Sequence, residues 1–304
     1  MLAGDRSTLA QASSKASNVV EPFLRWAGGK RWLTSKLAPL IKTRLSGTYF
    51  EPFLGSGAVF FAVAPDKAVL SDLNADLVGA FLAVAERSDE LLEAVRALPV
   101  NAETYYELRA EEPLDPLQRA VRFVYLNRTC YGGIYRENKR GAFNTPYGGG
   151  SRTPAPLWDR SLLERCSPLL RKDGVTLEVS DFELSLDAAG EGDVVYCDPA
   201  YRAATREHFD RYGAVIFGWE DQVRLAAAAR RASARGALVI VSNTYCPEVR
   251  ELYADATRIL LQKTKAIGNA AKDPNRRKEY LIALDPEGNE GSVCNWEVVG
   301  RVEK

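Results

Sequence analysis

Asp193-Val194-Val195-Tyr196-Cys197-Asp198-Pro199-Ala200-Tyr201 decides how the chain is read. Val194 to Cys197 spell a short, fully buried strand. That strand must stop at the acid, because Pro199 lacks a backbone N–H and fixes its own φ. An open α/β sheet carries its chemistry beyond the carboxyl ends of its strands. Asp198 is therefore expected at the rim of a cleft, with Tyr201 one tight turn further on. A carboxylate beside an aromatic ring suits a flat, amino-bearing group. The same nine residues also fit an ordinary strand and turn, since Asp-Pro is common in turns.

Upstream, Thr48-Tyr49-Phe50-Glu51-Pro52 reads as a strand running into Phe53-Leu54-Gly55-Ser56-Gly57 and an apolar helix, Ala58 to Ala64. Strand, glycine turn and helix open a nucleotide-binding unit. The fingerprint lacks a third glycine, but Ala68-Val69-Leu70-Ser71-Asp72 supplies a second strand ending in an acid 17 residues after Gly55. A carboxylate there binds ribose hydroxyls. The short glycine set fits a cofactor without a pyrophosphate better than it fits NAD. Earlier still, in Phe23-Leu24-Arg25-Trp26-Ala27-Gly28-Gly29-Lys30, the glycines permit close backbone approach and Lys30 can meet an anion. The stretch is not a P-loop, whose glycine spacing and Lys-Ser/Thr pair are missing. A helix is predicted from Arg31 to about Lys42, with Leu33, Leu37, Leu40 and Ile41 on one face.

From Asp76 to about Cys130 the pattern is helical, most clearly over Asp89–Leu98 and Asp115–Asn127. Then the texture changes. Tyr131-Gly132-Gly133-Ile134-Tyr135-Arg136 and Gly141-Ala142-Phe143-Asn144-Thr145-Pro146-Tyr147 flank a polar turn, a basic and aromatic hairpin-like loop suited to groove reading. Strands return at Gly174–Val179, before Ser180-Asp181-Phe182, and at Ala237–Asn243, Thr257–Leu261 and Glu279–Leu284. A helix is predicted over Glu220–Arg235, and Tyr201–Gly218 reads as a loop.

The chain of 304 residues has 40 Lys+Arg against 40 Asp+Glu, yet the charge is uneven. Arg122, Arg128, Arg136, Lys139, Arg140 and Arg152 cluster against Glu137 alone. Lys263, Lys265, Lys272, Arg276, Arg277 and Lys278 cluster against Asp273 alone. Two basic segments on a neutral body form a footprint for a polyanion. The five cysteines are scattered and odd in number, which argues against a disulfide framework or zinc cluster and makes a reducing cytoplasm the default. His208 is the only histidine and falls in a polar stretch, which argues against metal hydrolysis and a Ser-His-Asp triad. No apolar run is long enough to span a bilayer, and residues 1–20 are expected to be a disordered tail.

These residues resemble the Dam family of DNA adenine methyltransferases, in that family's order, from about Phe23 to Leu284. Arg119-Ala120-Val121-Arg122-Phe123-Val124-Tyr125-Leu126-Asn127-Arg128, continuing to Phe143-Asn144-Thr145-Pro146-Tyr147-Gly148, is the most specific match. The resemblance implies an α/β fold: a Rossmann-like S-adenosylmethionine-dependent methyltransferase sheet with an inserted helical target-recognition domain carrying a β-hairpin. Residues 21–75 and 159–304 would form the catalytic domain, and 76–158 the recognition domain.

The resemblance further implies S-adenosylmethionine as cofactor, no metal, and a flipped adenine in double-stranded DNA as substrate, within a GATC-like site. Asp198, Pro199 and Tyr201 would be catalytic. Trp26, Lys30, Phe53, Gly55, Gly57, Asp72, Asp181, Phe182 and Asp198 would hold the cofactor or lie beside it. Arg25, Tyr131, Ile134, Arg136 and Pro146 would touch DNA. A monomer without membrane attachment, nucleoid-associated through DNA and accompanied in some members by a cognate restriction endonuclease, completes the expectation.

Three positions depart from the family pattern. Ala200 stands where a second proline is usual, Gly132 where Asn is usual, and Gly149-Gly150 where basic and aromatic side chains are usual. The first leaves open a DNA- and cofactor-binding protein with weak or no turnover because of Ala200. An RNA adenine methyltransferase is another alternative. A nicotinamide dehydrogenase is disfavoured by the short glycine set.

Overall fold

Strand β4 (Val194–Cys197) is buried at every position and ends at Asp198, as the sequence predicts. The computed structural model describes residues 19–26, 28–138, 142–149, 158–199, 217–262, 278–288 and 295–303. β4 lies between β1 (Tyr49–Glu51) and β5 (Leu238–Thr244), parallel to both. β2 (Lys67–Asp72) and β3 (Gly174–Val179) extend the parallel sheet beyond β1. On the other side β7 (Lys278–Leu284) enters antiparallel to β5. β6 (Thr257–Gln262) and β8 (Arg301–Glu303) follow, giving the order β3-β2-β1-β4-β5-β7-β6-β8 among the described residues.

The chain runs outward from β1 to β2 and β3, then returns to place β4 on β1's other side. Strand order therefore reverses between β1 and β4, which is where an open α/β sheet leaves a ligand crevice. Both strands deliver their site residues to that crevice.

Alternate side chains of the central strands feed opposite layers. Tyr49, Val194, Tyr196, Leu238 and Ile240 join one apolar cluster, together with α1 (Arg31–Arg44) and α2 (Ala58–Val63). Phe50, Val195, Cys197, Val239 and Val241 join the other. In α1, Leu33, Leu37 and Ile41 are buried as predicted, whereas Leu40 is half-buried. Every residue of α2 is buried, so its glycine turn rests on a rigid base.

The stretch predicted to be helical holds α3 (Ala75–Glu86), α4 (Ser88–Ala97), α5 (Ala102–Ala110) and α6 (Pro116–Thr129), with α4 and α6 at the two clearest predicted helices. Three have side-chain N-caps. Asn74, Asn101 and Asp115 accept from the backbone N–H groups of Leu77, Thr104 and Gln118. The apolar faces of α3 and α6 share the cluster that covers the sheet.

The segment after α6 is a looser hairpin than a regular ladder. Its arms meet at the isolated bridges Cys130–Tyr147 and Glu137–Phe143, and Tyr131–Gly133 makes a turn of 3₁₀ helix. Between the bridges, the Thr145 hydroxyl donates to the Ile134 carbonyl at 2.7 Å. Side chains thus do part of what a ladder would do.

Among the described residues, α7 (Arg160–Leu170), α8 (Phe182–Ala188), α10 (Pro247–Leu252), the 3₁₀ turn Trp296–Val298 and β8 lie outside the sequence reading. The predicted helix over Glu220–Arg235 is α9 (Trp219–Ala234), which packs with α8 and α10 on the second face. Two members of the first basic cluster turn inward. Arg122 donates to the carbonyls of Leu108 and Arg109, in the last turn of α5, and Arg128 donates to the Phe23 carbonyl. Orphan carbonyls at a helix end recruit such donors. Lys139, Arg140, Gly150, Arg152, Ala200, Tyr201, His208, Cys294 and the basic stretch 263–277 lie outside the described residues. Among the described residues no helix is long and apolar enough to cross a membrane.

Candidate active site

Asp198 caps β4 with a partly exposed carboxylate, and Pro199 beside it is buried. Lys30, only 2% exposed, reaches across to it. Its Nζ donates to Asp198 Oδ1 at 2.7 Å, to Oδ2 at 3.0 Å, and to the Gly28 carbonyl at 3.1 Å. Glu279 Oε2 lies 3.7 Å from the same nitrogen. Burial opposes the ammonium, but Asp198 and Glu279 more than offset it, so the Lys30 pKa is raised. The anion expected for Lys30 is thus supplied by the protein itself.

The glycine turn sits at the end of β1, next to β4. Gly55 has φ +48°, a left-handed conformation that disfavours a side chain. Its N–H donates to Asp72 Oδ2 at 3.2 Å, while Asp72 Oδ1 accepts from Asn74 N–H at 3.0 Å. Burial pushes the Asp72 pKa up, against these backbone donors. Gly57 is the residue from which α2 starts.

An aromatic wall borders the turn. Phe53 stacks on Phe182 with centroids 5.4 Å apart and 22° between planes, and Phe217 meets both edge-on. The Arg224 guanidinium lies 4.5 Å over the Phe182 ring and donates to Asp181 Oδ1 at 2.5 Å. Asp181 also caps α8 through Glu183 N–H. Burial opposes its charge, but the Arg224 contact prevails and holds its pKa below the usual carboxylate range.

On the neighbouring surface the residues expected at DNA come together. Arg25 is exposed, and its backbone exchanges two hydrogen bonds with the Asn127 side chain of α6, at 2.9 and 2.7 Å. Gly133, at φ +66°, lets the loop close on Arg25: a Cβ there would stand 2.6 Å from Arg25 Cβ. Tyr131 and Ile134 are 62% and 39% exposed, large apolar groups offered to solvent. Tyr131 N–H donates to the Pro146 carbonyl at 2.9 Å, so Pro146 lies beside them. Arg136, also exposed, has its Nε held by Asn144 Oδ1 at 2.7 Å. Trp26 stacks on Tyr135 at 5.4 Å and ties this surface to the glycine turn.

The model of the D12 class of N6 adenine-specific DNA methyltransferases matches residues 26–267. The chain belongs to that class. It is 33% identical over 280 residues to a type II methyltransferase, M1.LlaDCHI, of Lactococcus lactis subsp. cremoris, covering 89% of this chain and 96% of the relative. It is 34% identical over 250 residues to a type II methyltransferase, M.MjaIII, of Methanocaldococcus jannaschii, covering 74% and 85%. A DNA adenine methylase of Escherichia coli K12 is 33% identical over 273 residues, covering 87% and 95%. The protein is an N6 adenine DNA methyltransferase with DNA as its substrate, on a Rossmann-like sheet.

In this D12-class enzyme, sequence patterns locate Asp198, Lys30, Gly55 and Asp72, and the fold brings them to adjacent strand ends. They do not locate Glu279, Asn127, Arg224 or Glu51. The last is buried beneath the site, its Oε2 accepting from the Tyr49 hydroxyl at 2.7 Å and Phe60 N–H at 2.9 Å. Among the described residues no group of His, Cys, Asp and Glu is arranged to hold a metal.

Proposed function

We propose that this D12-class enzyme uses S-adenosylmethionine to methylate an adenine everted from duplex DNA, within a GATC-like site. The carrying observation is Asp198 at the end of β4, beside the glycine turn of β1, at the strand-order reversal. The cradle fits the donor. Gly55 and Gly57, both at positive φ, bend the turn so that its backbone faces the donor, Asp72 offers a carboxylate to ribose hydroxyls, and Phe53 and Phe182 offer an apolar face to an adenine ring. Trp26, Lys30 and Asp181 border the same cradle. When bound, S-adenosylmethionine supplies an electrophilic methyl group on a sulfonium.

The chain's own task is to prepare the amine. The exocyclic nitrogen of adenine is a poor nucleophile because its lone pair is delocalised into the ring. Asp198 and the Pro199 carbonyl each accept one of its two hydrogens, which favours a pyramidal nitrogen with its lone pair free. Alignment then matters more than acid-base strength. Positive charge grows on the nitrogen, and the two acceptors stabilise it. Tyr201 stacks on the base. Eversion costs a few kcal/mol, about what unpairing and unstacking one base requires.

Residues 76–158 act as the recognition insertion on a catalytic part formed by 21–75 and 159–304. Arg136 makes paired hydrogen bonds to a guanine edge, Ile134 meets a thymine methyl, and Arg25, Tyr131 and Pro146 contact neighbouring positions. The enzyme works as a monomer in the cytoplasm, with or without a cognate restriction endonuclease.

The test is to methylate mixed-sequence duplex DNA with labelled donor and map the modified adenines. GATC-like sites are expected, and Asp198→Ala is expected to abolish transfer while donor binding persists. An Asp198→Ala protein working at the parent rate would falsify the catalytic assignment.

A further inference from the structure

Glu279 has no part in the function proposed above, yet the topology carries it to the reacting end of the sheet. β7 runs against its neighbours, so its first residues sit beside the last residues of β5: Glu279 pairs with Thr244, and on the other side with Leu261 of β6. A parallel β7 would have put this acid at the opposite edge. Its side chain is buried, with 6% exposure, and its Oε2 lies within ion-pair distance of Lys30 Nζ. Lys30 thus serves two carboxylates, Asp198 through direct hydrogen bonds and Glu279 through charge.

An ammonium buried with a single carboxylate forms a tight neutral pair, because attraction is weakly screened there. Such a pair leaves little negative charge on Asp198 for a substrate amine. Lys30 holds both Asp198 oxygens, and a second carboxylate near the same ammonium offsets its positive field there without breaking those bonds. Negative charge kept on Asp198 beside an amine that becomes cationic stabilises the transition state.

We propose that Glu279 is a positioning residue for methyl transfer, anchoring the Lys30 ammonium so that it aims Asp198 without quenching it. The proposal rests on the reading of Asp198 as the acceptor for the amine. Gln at position 279 keeps the volume and removes the charge. Asp restores the charge on a shorter arm.

The experiment measures single-turnover methyl transfer at saturating duplex DNA and S-adenosylmethionine, with dissociation constants for both and a thermal midpoint, for the parent, Glu279→Gln, Glu279→Asp and Asp198→Ala. Glu279→Gln is expected to slow transfer about 10-fold or more, as misplacement of a reacting group does. Both dissociation constants are expected to stay within about 3-fold of the parent, since the lost interaction acts on the reaction step. Glu279→Asp is expected to recover most of the rate. The proposal is overturned if Glu279→Gln transfers at the parent rate while Asp198→Ala is inactive. It is equally overturned if rate, binding and midpoint all fall together in both Glu279 variants, which marks Glu279 as merely structural. An active Asp198→Ala overturns the underlying assignment as well, so the two failures are told apart.

Discussion

The indole of Trp26 closes on Gly55 so tightly that a Cβ there would stand 2.8 Å from Cδ1 and 2.9 Å from Nε1. The indole has little room to retreat, because its ring is stacked on Tyr135. Three segments distant in sequence meet in this contact: the N-terminal stretch, the glycine turn and the loop that follows α6. Gly55→Ala therefore carries two penalties, a left-handed backbone costing roughly 1–2 kcal/mol and a clash with a braced ring. A lower thermal midpoint is expected, with donor affinity weakened about 10-fold because the turn backs away from Asp72. Calorimetry and equilibrium dialysis measure the two. Unchanged donor binding would show that the cradle tolerates a methyl group and that close backbone approach is not its design.

Arg136 is the side chain expected to read a base, and Asn144 holds one edge of its guanidinium. A bidentate arginine contact with guanine provides about 1–3 kcal/mol of discrimination. Arg136→Ala should relax site choice by roughly 10- to 100-fold at one position, with residual methylation retained. Asn144→Ala should act in the same direction but less, since the guanidinium survives and loses only its brace. Mapping methylated adenines on mixed-sequence DNA reads both. An identical site profile in Arg136→Ala would remove this residue from recognition.

How much of this was legible depends on how local the signal is. The β4–Asp198–Pro199 stop, the glycine turn and Asp72 are written in contiguous residues, and the structure has each as read. Lys30 was legible as a cation seeking an anion, but its partner stands 168 residues away and depends on strand order. Glu279 depends on a reversed strand that periodicity cannot orient. Helix α8, with seven residues, is too short for a 3.6-residue period to repeat twice. Arg122 looked like part of a polyanion footprint because composition does not reveal that the end of α5 lies beside it.

Arg224 joins α9 to the aromatic wall: it covers Phe182 and binds Asp181, Glu183 and Asp221. Its side chain is 43% exposed, so these ion pairs add little to overall stability. Their effect is local. Without Arg224, Phe182 loses its outer stack and Asp181 loses the contact that holds its pKa down. Arg224→Ala should raise KM for S-adenosylmethionine by about two- to five-fold with kcat nearly unchanged, the scale of an exposed cation–π contact. Arg224→Lys should recover only part, because an ammonium lacks the planar fork. Steady-state kinetics in the donor check this, and a loss confined to kcat would contradict it.

Glu51 is fully buried under the site, and burial pushes its pKa up from an ordinary 4.5 to about 8. The hydrogen bonds from Tyr49 and Phe60 oppose that shift, and the charge of Asp198 adds to it. The folded protein therefore keeps this proton at neutral pH, whereas the unfolded chain has released it. Between those pKa values the folded state binds more protons, so stability falls as pH rises. The contribution is fully present below about pH 4.5 and is lost as pH rises through about 8. Glu51→Gln has no proton to lose, and its carbonyl oxygen can accept both hydrogen bonds. Urea midpoints measured for both proteins from acidic to alkaline pH should show the parent losing ground to the variant as pH rises across this window. A difference that stays constant with pH would mean that the carboxyl titrates alike in the folded and the unfolded chain, and the buried acid would then have no part in the pH response.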